Sequence, residues 1–120
     1  MDFRPTEEQE LMVQAIEEAM TRENLETYFQ DCDKEHKHPK KWWDILDELG
    51  LFSMFLPEEA GGDGEGAVTM FLVMEALGRC GGPIYLFWDH VKADALLENG
   101  TKEQIDKFMP MFFEGKPAFA

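Results

Sequence analysis

Basic residues are few in this chain. Lys and Arg together number 11 against 25 Asp and Glu, a formal net charge of −14. Nucleic acid and anionic membranes both demand a basic footprint, so this balance argues against either as a partner. A charged partner should itself be basic. Cysteine is nearly absent: Cys32 and Cys80 are too few for a disulfide scaffold. One bridge stays open, but a reduced pair is the expectation. Long apolar runs are missing too. The longest, Ala67 to Met74, has eight residues and includes Thr69, whereas a membrane-spanning helix needs about 20. Met1-Asp2-Phe3-Arg4-Pro5 has no apolar core and so is no signal peptide. These features together point to a cytoplasmic location. Val and Ile are scarce, which speaks against sheets.

What is present favours helices. Hydrophobic residues make up 44% of the 120 positions, enough for a core in one domain. Ten Phe, eight Met and three Trp supply bulky packing, and Pro is limited to six. Thr6-Glu7-Glu8-Gln9 is a capping box that opens a first helix carrying Leu11, Met12, Ala15, Ile16 and Ala19 to about Met20. After Thr21-Arg22-Glu23-Asn24, a short second helix carries Leu25, Tyr28, Phe29 and Cys32. Asp33 to His38 reads as a polar loop. Pro39 suits the first turn of a third helix with Trp42, Trp43, Ile45, Leu46 and Leu49, and Gly50 is its stop. Adjacent helical positions point in different directions, so only one of Trp42 and Trp43 is expected in the core.

Leu51 to Leu56 reads as an apolar extended segment ended by Pro57, and Ala60 to Gly66 as the most flexible loop. Ala67 to Arg79 reads as a fourth helix, apolar nearly all round and therefore buried on several sides. On that reading Phe71→Ala costs about 3–5 kcal/mol. Cys80-Gly81-Gly82-Pro83 breaks the chain before a fifth helix, Ile84 to Glu98, with Gly100 as its stop. Thr101-Lys102-Glu103-Gln104 is a second capping box. It opens a sixth helix with Ile105, Phe108, Met109, Phe112 and Phe113, which Pro110 should kink or shorten. Lys116 to Ala120 reads as the start of a strand, so the sequence reads as part of a longer chain.

Few residues suggest chemistry. Gly61, Gly62, Gly64 and Gly66 precede a helix as a phosphate loop would, but no Lys-Ser or Lys-Thr follows, and Asp63 and Glu65 repel phosphate. Asp63-Gly64-Glu65 lacks the spacing of a calcium loop. His36 and His38 lie near Cys32, Asp31 and Asp33, yet fit no zinc pattern. A lone His90 on the fifth helix is more often structural than ligand-facing. Glu75, inside an apolar helix, should be paired or at an edge. The residues by themselves describe an acidic helical domain with large apolar faces and neither a catalytic nor a metal constellation.

Several pieces in order resemble the N-terminal helical domain of the acyl-CoA dehydrogenase family. They are Asp2-Phe3 with Thr6 to Gln9, Asp44 to Leu51, and Leu56-Pro57-Glu58-Glu59 with Gly61-Gly62. Met74 to Arg79 and Gly100 to Gln104, with Phe108, Pro110 and Gly115, complete the set. Within the family, Glu23 to Phe29 with Asp31-Cys32-Asp33, and Gly100 to Lys107, are most similar to the branch that acts on crotonobetainyl-CoA in carnitine metabolism.

The resemblance implies an all-α orthogonal bundle of about six helices, with residues 1–115 as that domain and 116–120 as the start of a β domain. It implies a flavoprotein oxidoreductase with FAD and the catalytic base held mainly by later parts of the subunit. It also implies an acyl-CoA substrate, electron-transfer flavoprotein as redox partner and a homo-oligomer, a tetramer by family habit. This chain would add no catalytic or cofactor-binding residue and would be inactive alone. It would supply a wall of the acyl pocket through Pro83, Leu86, Phe87 and His90, with Ile84, Val91 and Ala95 packed inward. Bulky Leu86 and Phe87 suggest a short acyl chain, and His90 a contact to a polar one. The competing reading is a free-standing acidic helical module for protein interaction. In the isolated chain, the first half of the fifth helix, the Phe108 to Phe113 run and Phe119 are expected to leave apolar surface that drives self-association.

Overall fold

The computed structural model describes residues 4–115. Asp2, Phe3 and the strand expected from Lys116 lie outside the described residues. Six α-helices account for most of the chain: α1 (Glu7–Arg22), α2 (Leu25–Lys34), α3 (Lys40–Glu48), α4 (Ala67–Arg79), α5 (Tyr85–Asn99) and α6 (Lys102–Phe113). Among the described residues there is no strand. The helices fall into two compact units: one holds the chain up to Pro39 together with Ala67–Pro83, the other Lys40–Gly66 with the chain from Ile84 on.

In the first unit α1 packs on α2 and α4. The capping box forms as read: the Thr6 hydroxyl accepts the Gln9 amide at 3.2 Å, and the Gln9 side-chain oxygen accepts the Thr6 amide at 2.9 Å. The same Gln9 side chain donates through its nitrogen to the Thr69 hydroxyl on α4 at 3.0 Å. A local cap thus doubles as a tertiary tie. Ile16, Ala19 and Met20 of α1, Leu25 of α2, and Val73, Ala76 and Leu77 of α4 are buried. Arg79 of α4 reaches Glu17 of α1 at 2.9 Å, an exposed pair that contributes little.

The fourth helix is not buried on all sides. Phe71 is 71% exposed and Val68 66%. With no charged residue before Glu75, the helix's sequence marks no outer face, so an apolar ring was mistaken for a buried one. Glu75 stands on the exposed side. Phe71→Ala should therefore change the unfolding free energy by no more than about 0.5 kcal/mol, the ordinary range for surface positions. Loss of several kcal/mol in a urea titration would show that something covers this ring.

In the second unit, both Trp42 and Trp43 are buried, against expectation. With Ile45 and Leu46 they span an arc of about 160° at 100° per residue, wider than the stripe assumed from sequence. The segment after the helix explains the width. Gly50 adopts φ +69 and closes α3, with its amide on Asp47 and the Leu51 amide on Leu46. The chain then turns back, and Phe52 stacks on Trp43 at 5.4 Å, with Tyr85 on the same ring system at 6.3 Å.

Leu51 to Leu56 is not extended but a run of turns. Leu51, Phe52, Phe55 and Leu56 are buried, a one-and-four spacing that suits turns and not a strand. The loop that follows is pinned and not free. Amides of Gly62, Asp63, Gly64 and Glu65 donate to the carbonyls of Pro57, Ser53, Leu56 and Met54. Gly100 caps α5 in an extended conformation, φ −74, and not as the left-handed stop expected. The second capping box, Thr101 with Gln104, forms in full. Pro110 does not end α6, which continues to Phe113.

Candidate functional site

The residues singled out for the acyl wall lie at the start of α5. Pro83 closes the first unit and is half-buried. Ile84 precedes α5, and the sequence Tyr85-Leu86-Phe87-Trp88 fills its first turn without a charge. Such a turn has no polar side to direct outward, so its orientation is decided by its neighbours. Leu86, His90 and Ala93, at spacings of four and three, point into the second unit and are 0% exposed. Phe87 is half-buried, beside the ring of Trp88 at 5.4 Å. Ile84, Tyr85, Trp88 and Val91 are exposed, and so is Ala95. The expectation that Ile84, Val91 and Ala95 pack inward is therefore overturned. The bulky partners that fix the inward face are Phe55 and Phe112, which no helical period within α5 reveals.

His90 is the polar residue of this inward face. Its ring meets Phe55 and Phe112 with centroids 5.2 Å away in each case, both steeply inclined. Nδ1 lies 2.8 Å from the Leu86 carbonyl. A carbonyl only accepts, so Nδ1 carries the proton and Nε2 a lone pair. Nε2 has no hydrogen-bond partner. The Phe52 backbone lies close enough to favour a charged ring by hydrogen bonding, though no such bond to Nε2 is formed. Burial pushes the His90 pKa down and outweighs the opposing pull of the Leu86 backbone, Asp94, the Phe52 backbone and Asp89. Burial raises the Asp94 carboxyl, with His90 opposing and Glu98 adding to the rise. Asp89 is held by Lys92 at 3.4 Å.

Two grooves of the first unit combine apolar and charged residues. One, of about 260 Å³ between α1 and α4, has Val13 and Leu72 among its apolar lining and Glu10, Glu17, Glu75 and Arg79 among its charged residues. Val68 and Phe71, four residues before Leu72 and Glu75, extend its α4 wall with exposed apolar surface. The other, of about 310 Å³, is lined by Met20, Asn24, Leu25, Arg79 and Cys80 among others. Burial and then Glu17 raise the Cys80 thiol, with Arg79 opposing, so the sulfur stays protonated and is no nucleophile near neutral pH.

The remaining motifs find structural explanations. The amides of Gly62 to Glu65 are engaged by carbonyls of the preceding turn segment, Ser53 to Pro57, which leaves them unable to cradle a phosphate. Asp63 accepts from the Ser53 hydroxyl at 2.8 Å. His36 and His38 are exposed, and among the described residues no three His, Cys, Asp or Glu side chains converge as a metal site would need. No helix among them is long and apolar enough to cross a membrane. Sequence reasoning missed the Gln9–Thr69 tie and the exposed pair Tyr85 and Trp88. The first leaves no local signal; the second was there to read in an uncharged helix start.

A family model described as "Acyl-CoA dehydrogenase, N-terminal domain" matches residues 6–116. No solved structure matches the chain.

Proposed function

The chain belongs to the acyl-CoA dehydrogenase family of oxidoreductases, as its N-terminal domain, and from that membership we propose that it forms one wall of the acyl pocket in an FAD-dependent enzyme. The match over residues 6–116 carries this reading. The glycine-loop amides are engaged and Asp63 and Glu65 flank them, so this loop is not where a flavin phosphate would be cradled. By family habit FAD and the catalytic base are assigned to other domains of the enzyme, and residues 4–115 alone should not turn over.

Of the four wall residues, Pro83 and Phe87 have exposure to offer a substrate. Leu86 and His90 stand behind Phe87 as rigid support. This revises His90 from an acyl contact to a backing residue. A bulky Phe87 favours a short acyl chain. The exposed rings of Tyr85 and Trp88 are of the kind that hold a quaternary ammonium head. They support a carnitine-like acyl group, crotonobetainyl-CoA among the candidates. The α1–α4 groove, with apolar Val13 and Leu72 and an acidic rim, suits a protein partner that brings an apolar side chain and basic residues. Electron-transfer flavoprotein, implied by the family, is proposed there. A cytoplasmic homo-oligomer, a tetramer as the resemblance implies, completes this reading.

In the full-length enzyme, Phe87→Ala should shift the ratio of kcat/KM toward longer acyl-CoA substrates by about 10-fold or more, the range of one or two methylenes of pocket space. An unchanged ratio in a folded variant would remove Phe87 from the pocket and the reading with it.

A further inference from the structure

We propose that His90 is a proton-operated latch: neutral, it pins α5 against Phe55 and Phe112; protonated, it leaves that cage and loosens the helix. The proposal rests on the packing of the second unit and not on the acyl-pocket reading. The neutral ring fits its site, with Nδ1–H on the Leu86 carbonyl and apolar rings on either side. A proton added at Nε2 creates a donor with no hydrogen bond in place and the Phe52 backbone close enough to favour it, inside a side chain that is 0% exposed. Such a group costs far more buried than at the surface.

The outward alternative is close at hand. Asp94, four residues on along α5, and Asp89, one residue before His90, are the charged groups that act on the ring. The turn segment contributes the Phe52 backbone and the Phe55 ring, and α6 contributes Phe112; neither supplies a titratable side chain acting on His90. Asp94 is exposed and has no cation at hand among the described residues except His90 itself. The ring thus has two sites, an apolar one for the neutral form and a carboxylate at the helix surface for the cation. That is the bistable element a pH switch needs.

The sign follows from linkage. Burial lowers the folded-state pKa of His90 below the unfolded value, which is about 6.5. The unfolded chain then binds more protons, so stability is constant above that value and is lost as pH falls below it. The rest of the chain works the other way: at a net charge of −14, mild acid relieves self-repulsion. A loss of stability in mild acid is therefore a signature of His90.

The test follows urea unfolding and near-UV circular dichroism from pH 7.5 to 5.0 in the parent chain, His90→Gln, Asp94→Asn, and the double variant His36→Gln with His38→Gln. The parent should lose near-UV signal and urea midpoint over that range. The double variant should lose both equally, and His90→Gln should show a flat profile. Asp94→Asn should move the near-UV loss to lower pH, since the open cation loses its acceptor, while its urea-midpoint loss still begins below the unfolded value and runs deeper, since Asp94 raises the folded-state pKa. A parent with no loss, or a His90→Gln variant that keeps it, overturns the proposal. Should His90→Gln fail to fold, Asp94→Asn decides, and a near-UV loss that does not move also overturns it.

Discussion

Phe112→Ala should lower the unfolding free energy by about 3–5 kcal/mol, the range for truncating a buried aromatic side chain. Phe112 is 2% exposed on α6. Its ring meets Phe52 at 5.9 Å, His90 at 5.2 Å and Phe113 at 6.0 Å. It is therefore the point where the turn segment, α5 and α6 share one contact, and no neighbour can close the space without leaving another. Total stabilities of domains lie near 5–15 kcal/mol, so about a fifth or more of the whole is at stake. Phe112→Leu, which keeps part of the volume, should cost clearly less. Guanidinium titrations of both variants, with unchanged slopes, provide the measurement. If Phe112→Ala costs under about 1 kcal/mol, a value typical of minor sites, this ring is not the hub that the packing describes.

The parts of the fold that were legible in the sequence are those decided locally. Both capping boxes need only residues three apart, and both form. Gly50 ends α3 because a left-handed residue is needed there, and glycine supplies it. Helix number and bounds followed from such signals. Which face is buried did not, wherever a segment was apolar on every side. In α4 the ring of apolar residues concealed that Val68 and Phe71 face out. In α5 the uncharged first turn concealed that Leu86 and His90 face in. Periodicity fixes a direction only when polar residues mark the outer side.

The turn segment shows a different failure. A short apolar run reads equally as a strand or as packed turns. What decides is whether its amides find a partner strand or one another, and here Leu56 donates to Ser53 while the loop beyond returns to the same segment. The candidate wall suffered in consequence. Its expected residues stand at the start of α5, but their outward or inward sense depends on Phe55 and Phe112, which are distant in sequence.

The glycine loop yields the second large effect. Gly62→Ala should cost about 3 kcal/mol or more, at the upper end of overpacking losses. A Cβ on Gly62 would overlap the Leu56 carbonyl oxygen and lie 2.6 Å from the Leu56 Cβ. Neither atom can yield cheaply. That carbonyl accepts the Gly64 amide at 2.9 Å, and Leu56 is 0% exposed. Relief of the clash therefore breaks a loop hydrogen bond or shifts a core residue. Gly66 supplies the control. It lies four residues on, in the same glycine-rich run, with nothing within 4 Å of its added Cβ. Gly66→Ala should be neutral or stabilise by about 0.4–1 kcal/mol, because alanine narrows the unfolded ensemble. The two variants differ by one methyl group each and by a few positions, so composition and charge cancel in the comparison. A loop that is merely mobile predicts the same small effect at both sites. A pinned loop predicts loss at Gly62 alone, together with faster proteolytic cleavage between Pro57 and Gly66. Equal urea midpoints for the two variants would mean that the backbone does not return to Leu56 as described.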